Sequence, residues 1–304
     1  MEGKLMAREI IATDIPKIKA MLESVYGNGD YETAERMGGL TNHTYKLTLK
    51  NGEELVVRIP GEGTEEMICR TDEKKSTTLA CKIGVDAEML YFGDDGSKIT
   101  RFIKNGITMS GETLHEPRHI RQMAEIFKKM HSCGEDTGVP FEVFDMAKDY
   151  EKIIVDKAVP MFDDYDEIKA QVMAIKAEVD STVEIKKVPC HNDPLSENWV
   201  EGDGRMYLID WEYAGMNDGM WDVADVSIEA CFDAECDTLL LTEYLGHEPS
   251  IAERKHFLAS KIYVDYLWTL WAKARVPYDG QPMEDWACER YARLKGFIEE
   301  YKNI

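Results

Sequence analysis

Residues 189–213, PCHNDPLSENWVEGDGRMYLIDWEY, concentrate the side chains best suited to chemistry. Asp193 is followed five positions later by Asn198, and a short apolar run delivers Asp210 twelve positions after that. Phosphoryl transfer asks for a carboxylate that orients and deprotonates the attacking hydroxyl, and for hard oxygen ligands around a divalent cation. Asp193 suits the first duty as catalytic base, and Asn198 and Asp210 suit the second as Mg²⁺ ligands. His191 completes a His-x-Asp prefix, a place from which an imidazole supports such a loop by hydrogen bonds. A lone Asp-x-x-x-x-Asn spacing arises often by chance. The prefix, the hairpin that follows and the terminal Asp together make the chemical reading.

Two further segments could hold phosphates. GGLTNHTY, residues 38–45, places Gly38 and Gly39 where backbone N–H groups can approach phosphate oxygens closely. It lacks the Gly-Lys-Ser/Thr ending of a Walker loop. VVRIP, residues 56–60, carries a single cation, Arg58, whose guanidinium can grip a phosphate or a carboxylate through two hydrogen bonds. Glu73 is the expected partner on the following helix, with Glu66 and Asp72 nearby.

These residues need positioning elements. Helical apolar spacing covers residues 10–27, and strands are expected at Tyr31–Met37, His43–Leu49 and Glu54–Ile59, the last two joined by Asn51-Gly52 as a two-residue hairpin. A helix over 71–83 and short strands at Ala87–Tyr91 and Lys98–Ile103 follow. Beyond residue 106 the pattern turns to long helices at 116–132, 146–158, 166–179, 233–245, 251–275 and 283–302. One hairpin interrupts them, Asn198–Glu201 and Met206–Asp210 around Gly202-Asp203-Gly204. The expectation is an α+β chain of two lobes: a small β-rich N-lobe over 1–105, and a larger helical C-lobe over 106–304 with the catalytic loop. The join falls near Arg101–Gly106.

Composition excludes several classes. The 304 residues are 44% hydrophobic and 31% charged, an ordinary globular balance. A net charge of −22 disfavours nucleic acid and anionic membrane surfaces, which call for basic patches. No run approaches a membrane span, and the first residues lack a signal peptide's apolar stretch, so a cytoplasmic setting is expected. Seven scattered cysteines without a Cys-x-x-Cys pair argue for mostly buried, reduced thiols. Oligomeric state is not legible.

The set GGLTNxxY, HNDPLSENWV, LIDWEYAG and WDVADVSIEA resembles the choline/ethanolamine kinase family, in particular its bacterial choline kinases, over roughly residues 35–300. The resemblance implies a protein-kinase-like fold and MgATP-dependent phosphorylation of an amino-alcohol hydroxyl. It implies that Asp193 is the base and that Asn198 and Asp210 bind Mg²⁺. Gly39, Leu40, Thr41, Asn42 and Arg58 would bind the phosphates of ATP, and backbone near Phe102 and Ile103 would meet adenine.

A quaternary ammonium cannot donate an N–H hydrogen bond, so aromatic faces and a carboxylate must hold it. Trp268 and Trp271 are three apart and share a helix face; Trp286, Tyr291 and Glu229 complete the candidate set. The resemblance places Glu229 and the Trp268/Trp271 pair in the choline pocket, whereas aromatic stripes on helices are otherwise core. Trp211, two residues from Tyr213, and Trp221 are expected to brace the metal loop, and Glu212 faces either metal or substrate. Ethanolamine, thiamine or aminoglycoside kinases of the same fold, and a non-catalytic binding relative, are the alternatives.

Overall fold

The computed structural model describes residues 10–37, 42–61 and 68–304. The chain divides into two compact units. One runs up to Thr108 and takes in Asn198–Ala214; the other holds Met109–Glu197 and Gly215–Ile304.

The first unit begins with α1, Ile15–Tyr26, then β1, Thr33–Arg36, β2, His43–Thr48, and β3, Glu54–Ile59. Helix α2, Arg70–Lys82, precedes β4, Met89–Phe92, β5, Lys98–Arg101, and the short β6, Ile107–Thr108. Five of these strands form an antiparallel sheet in the order β1-β2-β3-β5-β4. Tyr45 and Leu47 on β2 and Leu55 and Val57 on β3 alternate inward, as the two-residue period of a strand dictates. They pack with Ile18 and Leu22 of α1, one turn apart on one helix face.

The Asn51-Gly52 turn differs from expectation. Leu49 N–H bonds Glu53 O at 2.8 Å and Gly52 N–H bonds Leu49 O at 2.8 Å, which makes a three-residue loop. Gly52 takes the left-handed conformation at φ +82° that closes such a loop.

The second unit is helical. It contains α3, Gly111–Leu114, α4, Pro117–His131, α5, Val143–Asp156, α6, Tyr165–Thr182, and β7, Lys187–Cys190. The chain then supplies β8, Trp199–Gly202, and β9, Arg205–Leu208, to the first unit before returning through β10, Gly215–Asp218. Helices α7, Gly219–Glu229, α8, Ala234–Leu245, α9, Ile251–Asp279, and α10, Gln281–Lys302, complete it. Residues 257–270 of α9 are buried all round, as befits a helix packed against α5, α6, α7 and α10. Its start was legible: Ser250 and Glu253 form a reciprocal capping box.

The hairpin that carries Asp210 therefore groups with the N-terminal strands, not with the helices around it in sequence. β6 pairs with β8, and Leu208 N–H bonds Val85 O at 3.0 Å. Backbone pairing between segments far apart in the chain is invisible to local periodicity. The cysteines also depart from expectation: all seven are unpaired, but only Cys190 is buried, and Cys69, Cys231 and Cys288 are exposed. No described helix is long and apolar enough to cross a membrane.

Candidate active site

In the first unit, β3 delivers Arg58 into the interior, where it is 4% exposed. Its Nη2 donates to Glu73 of α2 and to Gly96 O at 3.0 Å. Its Nη1 donates to Asp210 Oδ1 at 3.1 Å and to Glu212 Oε1 at 3.0 Å. Arg70, at the start of α2, donates to Glu73 Oε2 at 2.7 Å and to Glu212 Oε1 at 2.8 Å. Asn42 donates to Glu212 Oε1 at 3.3 Å. Glu73 is thus the helix carboxylate that meets Arg58; Asp72 pairs with Lys75 instead, and Glu66 lies outside the described residues. A side chain at Gly96 is barred, since a Cβ there would lie 2.4 Å from Arg70 Cδ.

The hairpin sets the metal candidates side by side. Trp199 pairs with Leu208, and Ile209 N–H bonds Asn198 O at 2.9 Å, so Asn198 and Asp210 stand at the open end of β8 and β9. Asp210 adopts φ +69°, a region costly for a residue with a Cβ and characteristic of functional positions. Trp211 braces that turn through Nε1 to Leu208 O at 3.1 Å. Glu73, Asp210 and Glu212 each bring a carboxylate oxygen within 4.8 Å of the others, and hard oxygens of this kind are the donor type Mg²⁺ takes, although guanidinium groups engage all three here. The Glu212 carboxylate is held by Arg58, Arg70 and Asn42 on this same side. Phe102 and Ile103 border a cavity of about 610 Å³ that shares no residue with the Arg58 network. Gly39, Leu40 and Thr41 lie outside the described residues.

In the second unit, β7 runs into the His191-Asn192-Asp193 loop, which is anchored from α7. Asp222, fully buried, accepts from His191 N–H at 2.8 Å and Asn192 N–H at 2.7 Å. A third partner of Asp222 is His131, whose Nε2 lies 3.1 Å from Oδ2. Asn217 Nδ2 donates to Asn192 Oδ1 at 3.0 Å, and Trp221 Nε1 donates to Asn192 O at 3.2 Å. The brace Trp221 therefore acts on the loop before Asp193. His191 fulfils its expected support, its Nδ1 accepting from Asp193 N–H at 3.3 Å. Asn192 sits at φ +66°, the turn that presents the next residue. Backbone donors buried in this way would cost about 1–3 kcal/mol each if left without an acceptor. Asp222 supplies that acceptor, a role the sequence reading did not assign.

The acceptor candidates form a chain of contacts within the same unit. Glu229 at the end of α7 accepts from Arg290 Nη2, and Arg290 Nη1 donates to Asp265 Oδ1 at 3.0 Å. The Arg290 guanidinium lies 4.1 Å from the centre of the Trp286 ring. Trp286 meets Trp271 edge-to-face at 5.9 Å, and Trp271 meets Trp268 likewise at 6.2 Å. Tyr291 is not part of this group. Its ring stacks on Phe162 at 3.9 Å and its hydroxyl donates to Asp164 Oδ1 at 2.8 Å, so packing uses both its face and its polar end. Arg290 and Arg70 were missed from sequence. Arg70 had a signal, its i,i+3 spacing from Glu73; Arg290 had none, because its partners come from distant helices.

An Arg on the third strand buried against a Glu of α2, a strained Asp closing a hairpin and an anchored His-x-Asp loop define, with the fold, a protein-kinase-like phosphotransferase acting on a small molecule. A family model described as choline/ethanolamine kinase matches residues 34–276, and the chain belongs to that family. It is 28% identical over 273 residues to Protein LicA of Haemophilus influenzae, covering 87% of this chain and 79% of that protein. A choline/ethanolamine kinase family protein from Mesorhizobium loti has a similar structure, with TM-score 0.83, 32% identity, and coverage of 94% of this chain and 96% of that one. Choline kinase LicA from Streptococcus pneumoniae gives TM-score 0.80 and 27% identity, covering 95% and 100%.

Proposed function

We propose that this kinase transfers the γ-phosphoryl group of ATP to the hydroxyl of choline, forming phosphocholine and ADP. The observation that carries the choice of acceptor is the contact chain from Glu229 through Arg290 to three indole rings on α9 and α10. Carboxylate and aromatic faces are the two features that hold a quaternary ammonium.

In this reading Asp193 takes the hydroxyl proton as the oxygen attacks the γ-phosphorus in line, and the bond from that phosphorus to the β-phosphate oxygen breaks. Arg58, fixed by Glu73, faces the phosphates together with Asn42 and the loop at Gly39, Leu40 and Thr41. Phe102 and Ile103 meet adenine. Asp210 and Asn198 would hold Mg²⁺, which when bound neutralises charge on the phosphate oxygens. Trp268, Trp271, Trp286 and Glu229 contact the trimethylammonium group. The seven unpaired thiols and the use of ATP suit a cytoplasmic setting.

An assay of ATP consumption with choline, ethanolamine, thiamine and an aminoglycoside tests the reading. The highest kcat/KM is expected with choline. A higher value with ethanolamine would move the assignment to that alcohol, and choline binding without ATP consumption would make the chain a non-catalytic relative.

A further inference from the structure

One carboxyl in the second unit has no match. Asp225 lies on α7 four residues before Glu229, so the two share a helix face. It is 1% exposed, and among the described residues neither carboxyl oxygen has a hydrogen-bond partner. Buried carboxyls are ordinarily satisfied by donors, and one left bare is costly. The neighbouring carboxylates are provided for: Asp222 has two backbone N–H groups and His131, and Glu229 has Arg290.

The cation within reach is committed at both terminal nitrogens, and only its Nε is left without a partner among the described residues. Arg290 divides its terminal nitrogens between Glu229 and Asp265, with its plane over Trp286. Arg293 is bound to Asp265 through two nitrogens, at 2.7 Å each. The charged groups acting on Asp225 are Glu229 and Asp222 from its own helix, Asp193 from the loop after β7, and Arg290 from α10. Burial, then Glu229 and Asp193, push its carboxyl well above the usual carboxylate range, and Arg290 opposes this.

We infer that Asp225 is a second carboxylate of the acceptor pocket, that a bound amino-alcohol cation supplies the counter-charge it lacks, and that binding this cation releases the Asp225 proton. The inference rests on the reading that the acceptor is a cationic alcohol. It deepens that reading by adding a residue and a proton balance. Before binding, the carboxyl is neutral, because an ionised group among Glu229, Asp193 and Asp222 has no partner. When the ammonium arrives, the O–H bond of Asp225 breaks, its proton passes to solvent, and the carboxylate faces the cation. Net charge in the pocket changes by nothing. The linkage has a definite sign: below the midpoint of the free carboxyl, apparent affinity rises with pH.

Calorimetric titration of the full chain with choline, repeated in buffers of different ionisation enthalpy across pH 6–8, reads the protons directly and needs no variant. The expected result is release of up to about one proton per choline, falling away as pH rises through the midpoint of the free carboxyl. Over that range KM for choline should fall by up to about tenfold per pH unit. Asp225→Asn should abolish both the proton release and the slope in KM. Choline bound with no proton released by the unaltered protein overturns the inference and leaves the choline reading intact. So does an Asp225→Asn protein with the same proton count as the unaltered one. Absence of any choline binding overturns the reading itself, and the inference with it.

Discussion

The two units handle buried charge in opposite ways. In the first, two guanidinium groups and three carboxylates are interlocked: Arg58 and Arg70 both bond Glu73 and Glu212, and Arg58 also reaches Asp210. In the second, Arg290 and Arg293 serve Glu229 and Asp265, while Asp225 has no hydrogen-bond donor at either oxygen among the described residues. The contrast follows from what each unit is proposed to bind. MgATP brings its own cation and its own anion, so a closed network of both signs can exchange partners with it. An alcohol bearing only positive charge needs a surplus of carboxylate, and a surplus buried in advance is tolerable only as the neutral acid.

Substitutions in each unit test this contrast, and the largest effect is expected at Asp193. Asp193→Ala should lower kcat about 10³-fold, within the range of general-base losses, while nucleotide binding to the first unit stays near its original strength. Single-turnover kinetics alongside nucleotide titration would check it; turnover at the original rate removes Asp193 as the base.

Glu73→Ala attacks the closed network. It strips a buried guanidinium of its partner, and an uncompensated buried charge of this kind costs about 3–5 kcal/mol. Urea unfolding should show that loss, and KM for ATP should rise with it. If stability hardly changes, Arg58 is paired well enough by Asp210 and Glu212 for the network to be redundant.

Trp271→Leu sharpens the comparison on the other side. A cation–aromatic contact contributes about 0.5–2 kcal/mol, so kcat/KM for choline should fall by about twofold to thirtyfold, and that for ethanolamine by less. Equal losses for both alcohols would mean that the indole shapes the pocket without selecting the ammonium. Tyr291→Phe is the smallest change. Losing its hydrogen bond to Asp164 should cost about 1 kcal/mol of stability and leave KM for choline unaltered. A raised KM would return Tyr291 to the pocket.

The pH dependence of stability offers a further check on Asp225. Its carboxyl is raised in the folded state, so its contribution is fully present below the pKa of the unfolded chain and is lost as pH climbs through the folded value. Relative to the unaltered protein, Asp225→Asn should therefore gain melting temperature as pH rises from the usual carboxylate range.

Much of this protein is legible along the chain, because the relevant signals are local. Strand alternation around Tyr45 and Leu47, the Ser250–Glu253 capping box and the Asp193–Asn198–Asp210 spacing depend on residues near one another in sequence. The Trp268–Trp271 edge-to-face contact follows from helical spacing in the same way. Other features were settled by long-range partners. The 198–214 hairpin joins the N-terminal strands through backbone pairing with residues about a hundred positions away. Asp222 and Asp225 sit three apart on one helix, yet one is satisfied by a loop's N–H groups and the other by no donor among the described residues. Residue type and spacing gave the chemistry available; the difference between those two aspartates came from which donors the packing of α7 brought within reach.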